Sequence, residues 1–228
     1  MRILPITISA DLIPPTMEGR KQRTRRPINP RSPEAINLLI YMAAGCEVEE
    51  STQELIRCHA PWQVGDILYV REEHYAFGHW QPDGYTTGKK ARPKFKFKGR
   101  PSPSHVFDIK ELGGREVQKN SYRSPGWYKR LARFMPKKYA RTFLEVTDVR
   151  PEHLHDITDA EAVLEGIGGG PVDGWKDYSA PYYCIKQTPL ESFQTLWEKI
   201  NGPGSWKENN WVWVVSFKLV ERPANFLK

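Results

Sequence analysis

Between Arg92 and Arg133 the chain interleaves cations with rings. In the run RPKFKFKGR, Lys94, Lys96 and Lys98 alternate with Phe95 and Phe97, and the run ends at Arg100. Tyr122, Trp127, Tyr128, Lys129, Arg130, Arg133 and Phe134 follow. Cations neutralise phosphates and flat rings stack on bases, which is what a single-stranded nucleic acid requires of a surface. The ordinary alternative is a solvated charged face. Local charge argues against that alternative: residues 89–141 hold seventeen basic and three acidic side chains, too few acids to pair them all nearby. Residues 1–31 form a second basic block, with seven basic and two acidic residues that include Arg20, Lys21, Arg23, Arg25 and Arg26. The stretches 32–73 and 142–228 are acidic, so the formal charge of +7 sums two basic blocks on an acidic body.

Other reactive side chains point less clearly to chemistry. Cys46, Cys58 and Cys184 are odd in number and form no CxxC pair, which suits a reducing compartment and thiols rather than disulfides. Cys58 precedes His59, and Cys46 lies twelve residues earlier, which is a poor tetrahedral zinc spacing. His153 and His155 share a face beside Asp156 but lack a third ligand, so a surface pair is the simpler reading and no metal is expected. Glu72, Glu73 and His74 form a cluster at a strand end, with Glu72 a secondary cleft candidate. No nucleotide-cofactor motif stands out, and the glycine-rich stretch 168–175 lacks the GK[ST] ending of a phosphate loop, so it reads as a connector.

These groups need a scaffold. A chain of 228 residues with 39% hydrophobic and 27% charged residues is globular and long enough for a sizeable core. No run approaches the roughly 18 apolar residues of a membrane span, and the proline-broken start does not read as a signal peptide, so a cytoplasmic protein is expected. Ser32-Pro-Glu opens a helix through Ala44. Pro61–Arg71 reads as a turn followed by a strand, with Asp66 a turn residue. Residues 78–103 carry Gly, Pro and Lys with little periodicity, and predict a long insertion with at most a short hairpin. Arg141–Val149 alternates as a strand. Thr158-Asp-Ala-Glu161 and Thr188-Pro-Leu-Glu191 are capping boxes that open two helices. Phe193, Leu196, Trp197 and Ile200 follow the helical period of the second. Asn210–Val220 closes the chain as a strand whose Trp211 and Trp213 read as core. Short strands between helices and long loops predict an α+β fold on a small, mostly antiparallel barrel with flanking helices. It is expected to be a single domain over 1–228, with 74–133 inserted.

Four blocks carry a family resemblance. EGRKQRTRR at 18–26 resembles the G-x-K-x-x-T-x-R signature of ASCH domains, members of the PUA-like superfamily. Gly65–Glu72 resembles the family's GD-plus-strand, Ile157–Gly166 its helix ending in a glutamate, and Trp211–Lys218 its closing strand. With Phe134-Met-Pro, the set is similar to phage and prophage members. The matched blocks span under half of the chain and leave 74–133 uncovered. The resemblance implies a PUA-like β-barrel with a cleft beside it, a bacterial-host cytoplasm for a phage-encoded chain, and RNA, nucleotides or modified nucleosides as ligands. Some small members hydrolyse the acetyl amide of N4-acetylcytidine with a lysine, a threonine and a glutamate, which would fall here on Lys21, Thr24 and Glu165.

Amide hydrolysis needs a nucleophile, a proton acceptor and donors for the oxyanion. A lysine beside a threonine supplies the first two if its pKa is lowered, and the arginines around Lys21 favour its neutral form. Glu165 would pass a proton to the leaving amine or accept from a base's exocyclic nitrogen. Residues three apart oppose each other on a strand, so the site requires a turn or bulge at 21–24. The plainer readings are a basic phosphate-binding turn at Lys21–Arg26 and a helix-end Glu165 paired with one of its arginines. The leading expectation is binding of RNA or a modified nucleotide in a basic cleft, with Lys21, Thr24 and Glu165 as the candidate catalytic set. Arg20, Arg23, Arg25, Arg26 and Glu72 would contact ligand. Lys94, Lys96, Lys98, Arg100, Trp127, Lys129, Arg130 and Arg133 would extend the nucleic-acid surface. The alternatives are an amidohydrolase of N4-acylated cytidine and an interaction protein that binds a host or virion protein through 89–133. No cofactor is expected.

Overall fold

The computed structural model describes residues 1–28, 60–87, 90–99, 105–113, 115, 117, 118, 125–180, 182 and 184–227. The first strands in chain order are β1 (Ile3–Thr7), β2 (Arg23–Pro27) and β3 (Ile67–Arg71). Then come β4 (His74–Tyr85), β5 (Pro93–Gly99), β6 (His105–Val106) and β7 (Gly126–Arg130). The remainder are β8 (Phe143–His153), β9 (Gly169–Gly170), β10 (Gly174–Lys176), β11 (Ile185–Lys186) and β12 (Trp211–Val220). Among the described residues three α-helices accompany them: α1 (Ile13–Met17), α2 (Asp159–Leu164) and α3 (Pro189–Asn201). The fold is α+β. The helix expected from Ser32, with Cys46 and Cys58, lies outside the described residues.

The main sheet has five strands in the order β1-β3-β8-β12-β2. Among the described residues of this sheet β1 and β3 pair in parallel and the other pairings are antiparallel. β12 lies between β8 and β2 and is apolar on both faces, as a central strand must be. Period-2 alternation sends neighbouring side chains into two cores. Leu68, Val70, Leu144, Val146, Val212 and Val214 pack on one side with Phe193, Leu196 and Trp197 of α3. Ile67, Tyr69 and Phe143 pack on the other with Met135 and Phe226. The expected barrel is not closed among the described residues: β1 and β2 are the sheet's two edges and do not pair. The edges nevertheless approach, because the Arg26 guanidinium on β2 donates to the Thr7 carbonyl that ends β1. The sheet is thus a curled open wall with a slot between its edges.

A second sheet, β5-β4-β6 with β7 also on β4, is drawn entirely from residues 74–130. The short hairpin expected over 78–103 is in fact a long one, with β4 of 12 residues and β5 of 7. The run KFKFK is the period-2 pattern of an edge strand, with Phe95 and Phe97 half-buried and the lysines exposed. Gly78 makes the packing possible: a β-carbon there would stand 2.7 Å from the Phe97 ring and 2.4 Å from the Lys98 carbonyl. The expected connector at 168–175 also holds structure, since β9 lies in it, β10 begins in it, and β10 pairs with both β9 and β11. Both capping boxes form, with Thr158 and Thr188 hydroxyls accepting from the amides of Glu161 and Glu191.

Candidate functional site

The slot between β1 and β2 opens into a cavity of about 210 Å³. One wall is Thr7–Ser9 and Leu12, another is Lys21 and Thr24–Pro27, and α3 supplies the apolar roof of Phe193, Leu196, Trp197 and Ile200. Glu165 reaches it from the C-cap of α2. Lys21, Thr24 and Glu165 therefore line one space, although two come from the chain's start and one from 141 residues beyond Thr24. The geometry that 21–24 needs is present: Lys21 and Gln22 precede β2 as irregular backbone, tied to the Pro15 and Leu164 carbonyls. The facing strand carries a bulge at Ser216/Phe217.

Lys21 is only 2% exposed. Its Nζ donates to the Arg23 carbonyl at 2.7 Å, the Glu165 carbonyl at 2.7 Å and Glu165 Oε2 at 3.0 Å. An ammonium has three protons, and all three are used here. Burial pulls the Lys21 pKa down and Arg26 and Arg25 add to this, while Glu165 opposes it. Glu165 Oε1 meets Arg25 Nη1 at 3.3 Å, so this carboxylate is shared between two buried cations. Gly166 gives the pair room: its φ is +81°, and a β-carbon there would lie 2.7 Å from Lys21 Cβ. The hydroxyl of Thr24 has no hydrogen-bond partner among the described residues, and the residue is buried at the cavity wall.

The arginine rim is largely neutralised by the chain's own acids. Arg23 pairs with Glu161, and Arg25, its side chain fully buried, pairs with Glu152, Glu161 and Glu165. Arg20 pairs with exposed Glu18. Neither Arg20 nor Arg23 lines the cavity. Arg26 does, and burial lowers its pKa against the pull of Glu165. Glu161 stays below the carboxylate range: burial works against this, but Arg25, the Thr158 amide, Arg23 and Arg150 outweigh it. Glu72 lies elsewhere, buried in a two-pronged pair with Arg141 at 3.0 and 2.8 Å. It takes no part in the cavity.

Two lining residues had no signature in sequence. Ser9 Oγ and Trp197 Nε1, together with Arg26 Nε, are buried and unpartnered among the described residues. Trp197 sits on the apolar face of α3, where a ligand-facing indole and a core indole have the same spacing.

The candidate nucleic-acid residues divide between two faces of the inserted sheet. Lys96 and Lys98 are exposed and unpaired among the described residues, while Lys94 lies 3.8 Å from Asp83. Lys129 is held by Glu73 at 2.7 Å. Trp127 is 8% exposed and packs edge-on to Phe77, so no base can stack on it. Arg130 lies on the opposite face, among the rings. Strand alternation thus puts Lys96, Lys98 and Lys129 on one face and Arg130 with Trp80, Phe97 and Tyr128 on the other. Arg100 is outside the described residues.

His153 and His155 meet the carbonyls of Asn209 and Trp206 and stack on Trp211 and Trp206. Among the described residues, no cluster of His, Cys, Asp or Glu could hold a metal, and no helix is long and apolar enough to cross a membrane. Comparison with family models, curated proteins and solved structures gave no match.

Proposed function

We propose that the chain binds a base or modified nucleotide, of RNA in the first place, in the slot between β1 and β2. The fold that goes with this reading is an ASCH- or PUA-like barrel whose seam is left open as the binding site. The observation that carries it is the convergence of Lys21, Thr24 and Glu165 on one cavity with an apolar roof. Polar groups on one side and flat apolar surface on the other suit a planar ring with hydrogen-bonding edges. Ligand clefts commonly run to about 300–1,000 Å³. At about 210 Å³ this one suits a single ring rather than a whole nucleotide.

Calorimetric titration with a panel of nucleosides, N4-acetylcytidine among them, tests this. At least one should bind, with affinity nearly independent of salt, because a nucleoside carries no phosphate and Lys21 and Arg25 are already ion-paired. Thr24→Val should weaken it about tenfold, the worth of one or two hydrogen bonds. Absence of binding by every nucleoside at millimolar concentration overturns the reading.

The burial of Lys21 favours a second reading, amide hydrolysis. Lys21 would have to lose a proton, then take one from Thr24 or from water as the oxygen attacks the acyl carbon. The C–N bond breaks and the amine leaves with the proton Lys21 took up, relayed by Glu165. Where water attacked, the acid is released directly; where Thr24 attacked, a water then hydrolyses the acyl-threonine ester, releasing the acid and restoring the hydroxyl. The three acceptors around Nζ hold the ammonium form, which places binding ahead of hydrolysis. Acetate release from N4-acetylcytidine, abolished by Thr24→Ala in a folded protein, would reverse that order.

A further inference from the structure

Arg130, at the end of β7, is seated in a bed of rings. Its guanidinium carbon lies 4.3 Å from the Phe97 ring centre, 4.7 Å from Trp80 and 4.8 Å from Phe134. Trp80, Phe97 and Tyr128 pack edge-to-face among themselves at 5.3–6.4 Å, which fixes that bed. Arg133 shares the Phe134 ring at 5.0 Å. Arg71, from the end of β3, joins them by donating to the Arg133 carbonyl at 3.5 Å.

No carboxylate answers these three arginines among the described residues. The nearby acids in sequence are engaged elsewhere: Glu72 pairs with Arg141 and Glu73 with Lys129. The Arg130 and Arg133 side chains donate no hydrogen bond among the described residues, and Arg71, whose Nη2 donates to the Tyr69 hydroxyl at 3.0 Å, keeps its buried Nε without a partner. Rings hold a guanidinium flat through its π-face and leave its in-plane N–H groups unspent. Half-burying a cation without a counter-charge is costly, and an incoming anion removes that cost.

We propose that Arg130 and Arg133, flanking Phe134, bind successive phosphates of a single-stranded nucleic acid. A polymer fits better than a lone anion, because the cations continue around the sheet. Exposed Lys96 and Lys98 lie on the other face of β5, and Arg92 is exposed at its start. Planar guanidiniums fork onto phosphate oxygens, and the half-exposed Phe134 excludes water beside them. This surface is separate from the cavity, and neither proposal requires the other.

The test is fluorescence anisotropy with a labelled uridine 12-mer from low to moderate salt. Arg130→Gln/Arg133→Gln should bind about 10- to 100-fold more weakly. Its slope of log affinity against log salt should shrink by about 1.4, or about 0.7 for each lost phosphate contact on a single strand. Lys207→Gln/Lys218→Gln removes the same charge from exposed positions elsewhere and should bind like the parent. Arg130→Lys keeps the charge but loses the flat stack and should fall between. Circular dichroism of each variant confirms the fold. The proposal is overturned by equal losses in the two double variants, which would reduce the attraction to net charge. It is also overturned by no 12-mer binding at low salt, or by poly-glutamate competing as well as the RNA. The cavity is tested by nucleosides with the Thr24 variant, so each idea can fail alone.

Discussion

The ammonium of Lys21 lies 3.0 Å from Glu165 Oε2, and the two side chains are 1% and 4% exposed. The pair is asymmetric. Glu165 also holds Arg25, and Lys21 also holds two backbone carbonyls. Removing the acid strands buried Lys21 with Arg25 and Arg26 close by. Removing the base leaves the acid its arginine. Glu165→Gln should therefore cost about 3–5 kcal/mol, the range for a buried charge stripped of its partner. Lys21→Met should cost about 1–3 kcal/mol, chiefly for the two orphaned carbonyls. Urea unfolding of both variants checks the order; equal losses would mean that Arg25 does not sustain Glu165.

Gly166→Ala should disturb the same pair from behind. The backbone there is left-handed, and the new methyl would meet the Lys21 stem at 2.7 Å and Pro15 at 3.3 Å. Stability should drop by about 1–3 kcal/mol, and nucleoside binding should fall with it. Gly19→Ala isolates the backbone effect, since Gly19 shares the positive φ but has open space around it. It should cost less than Gly166→Ala.

Stability should fall in acid in two stages. His74 is buried, and its pKa is lowered by that burial and by Arg130, against the pull of the Glu72 carbonyl. A depressed pKa means full stability above the unfolded value of about 6.5 and loss as pH falls through the folded one. The carboxylates follow. Asp177 is held down to about 2, first by the Ser179 hydroxyl and then by the Ser179 amide and Lys186. Asp66 and Glu161 are also lowered, by Arg2 and by Arg25 respectively, each against its own burial. Their contributions are complete above about pH 4 and drain away below it. Urea midpoints from pH 8 to 2 should show both stages, and His74→Phe should abolish the first. A flat profile down to pH 3 would contradict the assignment.

Much of the scaffold was legible because its signals are local. Thr158 and Thr188 each find the glutamate three residues on, and a capping box needs nothing further away. Trp211–Val220 is apolar enough to be a central strand wherever it lies. That Lys21 and Glu165 line one cavity was an expectation of the resemblance alone, since no spacing rule links them. Electrostatics was the least readable layer. Counting residues 1–31 as a basic block hid the fact that Arg23 and Arg25 find acids at 152, 161 and 165 once β2 pairs with β12. The β4–β5 hairpin was hidden differently. Its alternating Lys and Phe are a strand's two faces, but by composition they read as a mixed surface.

Ser9 and Trp197 give a prediction that separates a binding site from a packing flaw. Their Oγ and Nε1 are buried, unpartnered among the described residues, and at the wall of one cavity. An unsatisfied buried donor costs about 1–3 kcal/mol, so removing it should not weaken the free protein. Ser9→Ala should leave stability unchanged or raise it by up to about 1 kcal/mol. Trp197→Phe loses ring volume as well, which offsets part of any gain. If these atoms wait for a ligand's acceptors, both variants should bind the best nucleoside of the panel about tenfold more weakly while unfolding no earlier in urea than the parent by more than about 1 kcal/mol. Stability and affinity would then move independently, as at sites kept polar for function. Unchanged affinity in both variants would make the two orphaned donors a defect of packing and leave ligand recognition to Thr24 and Arg26.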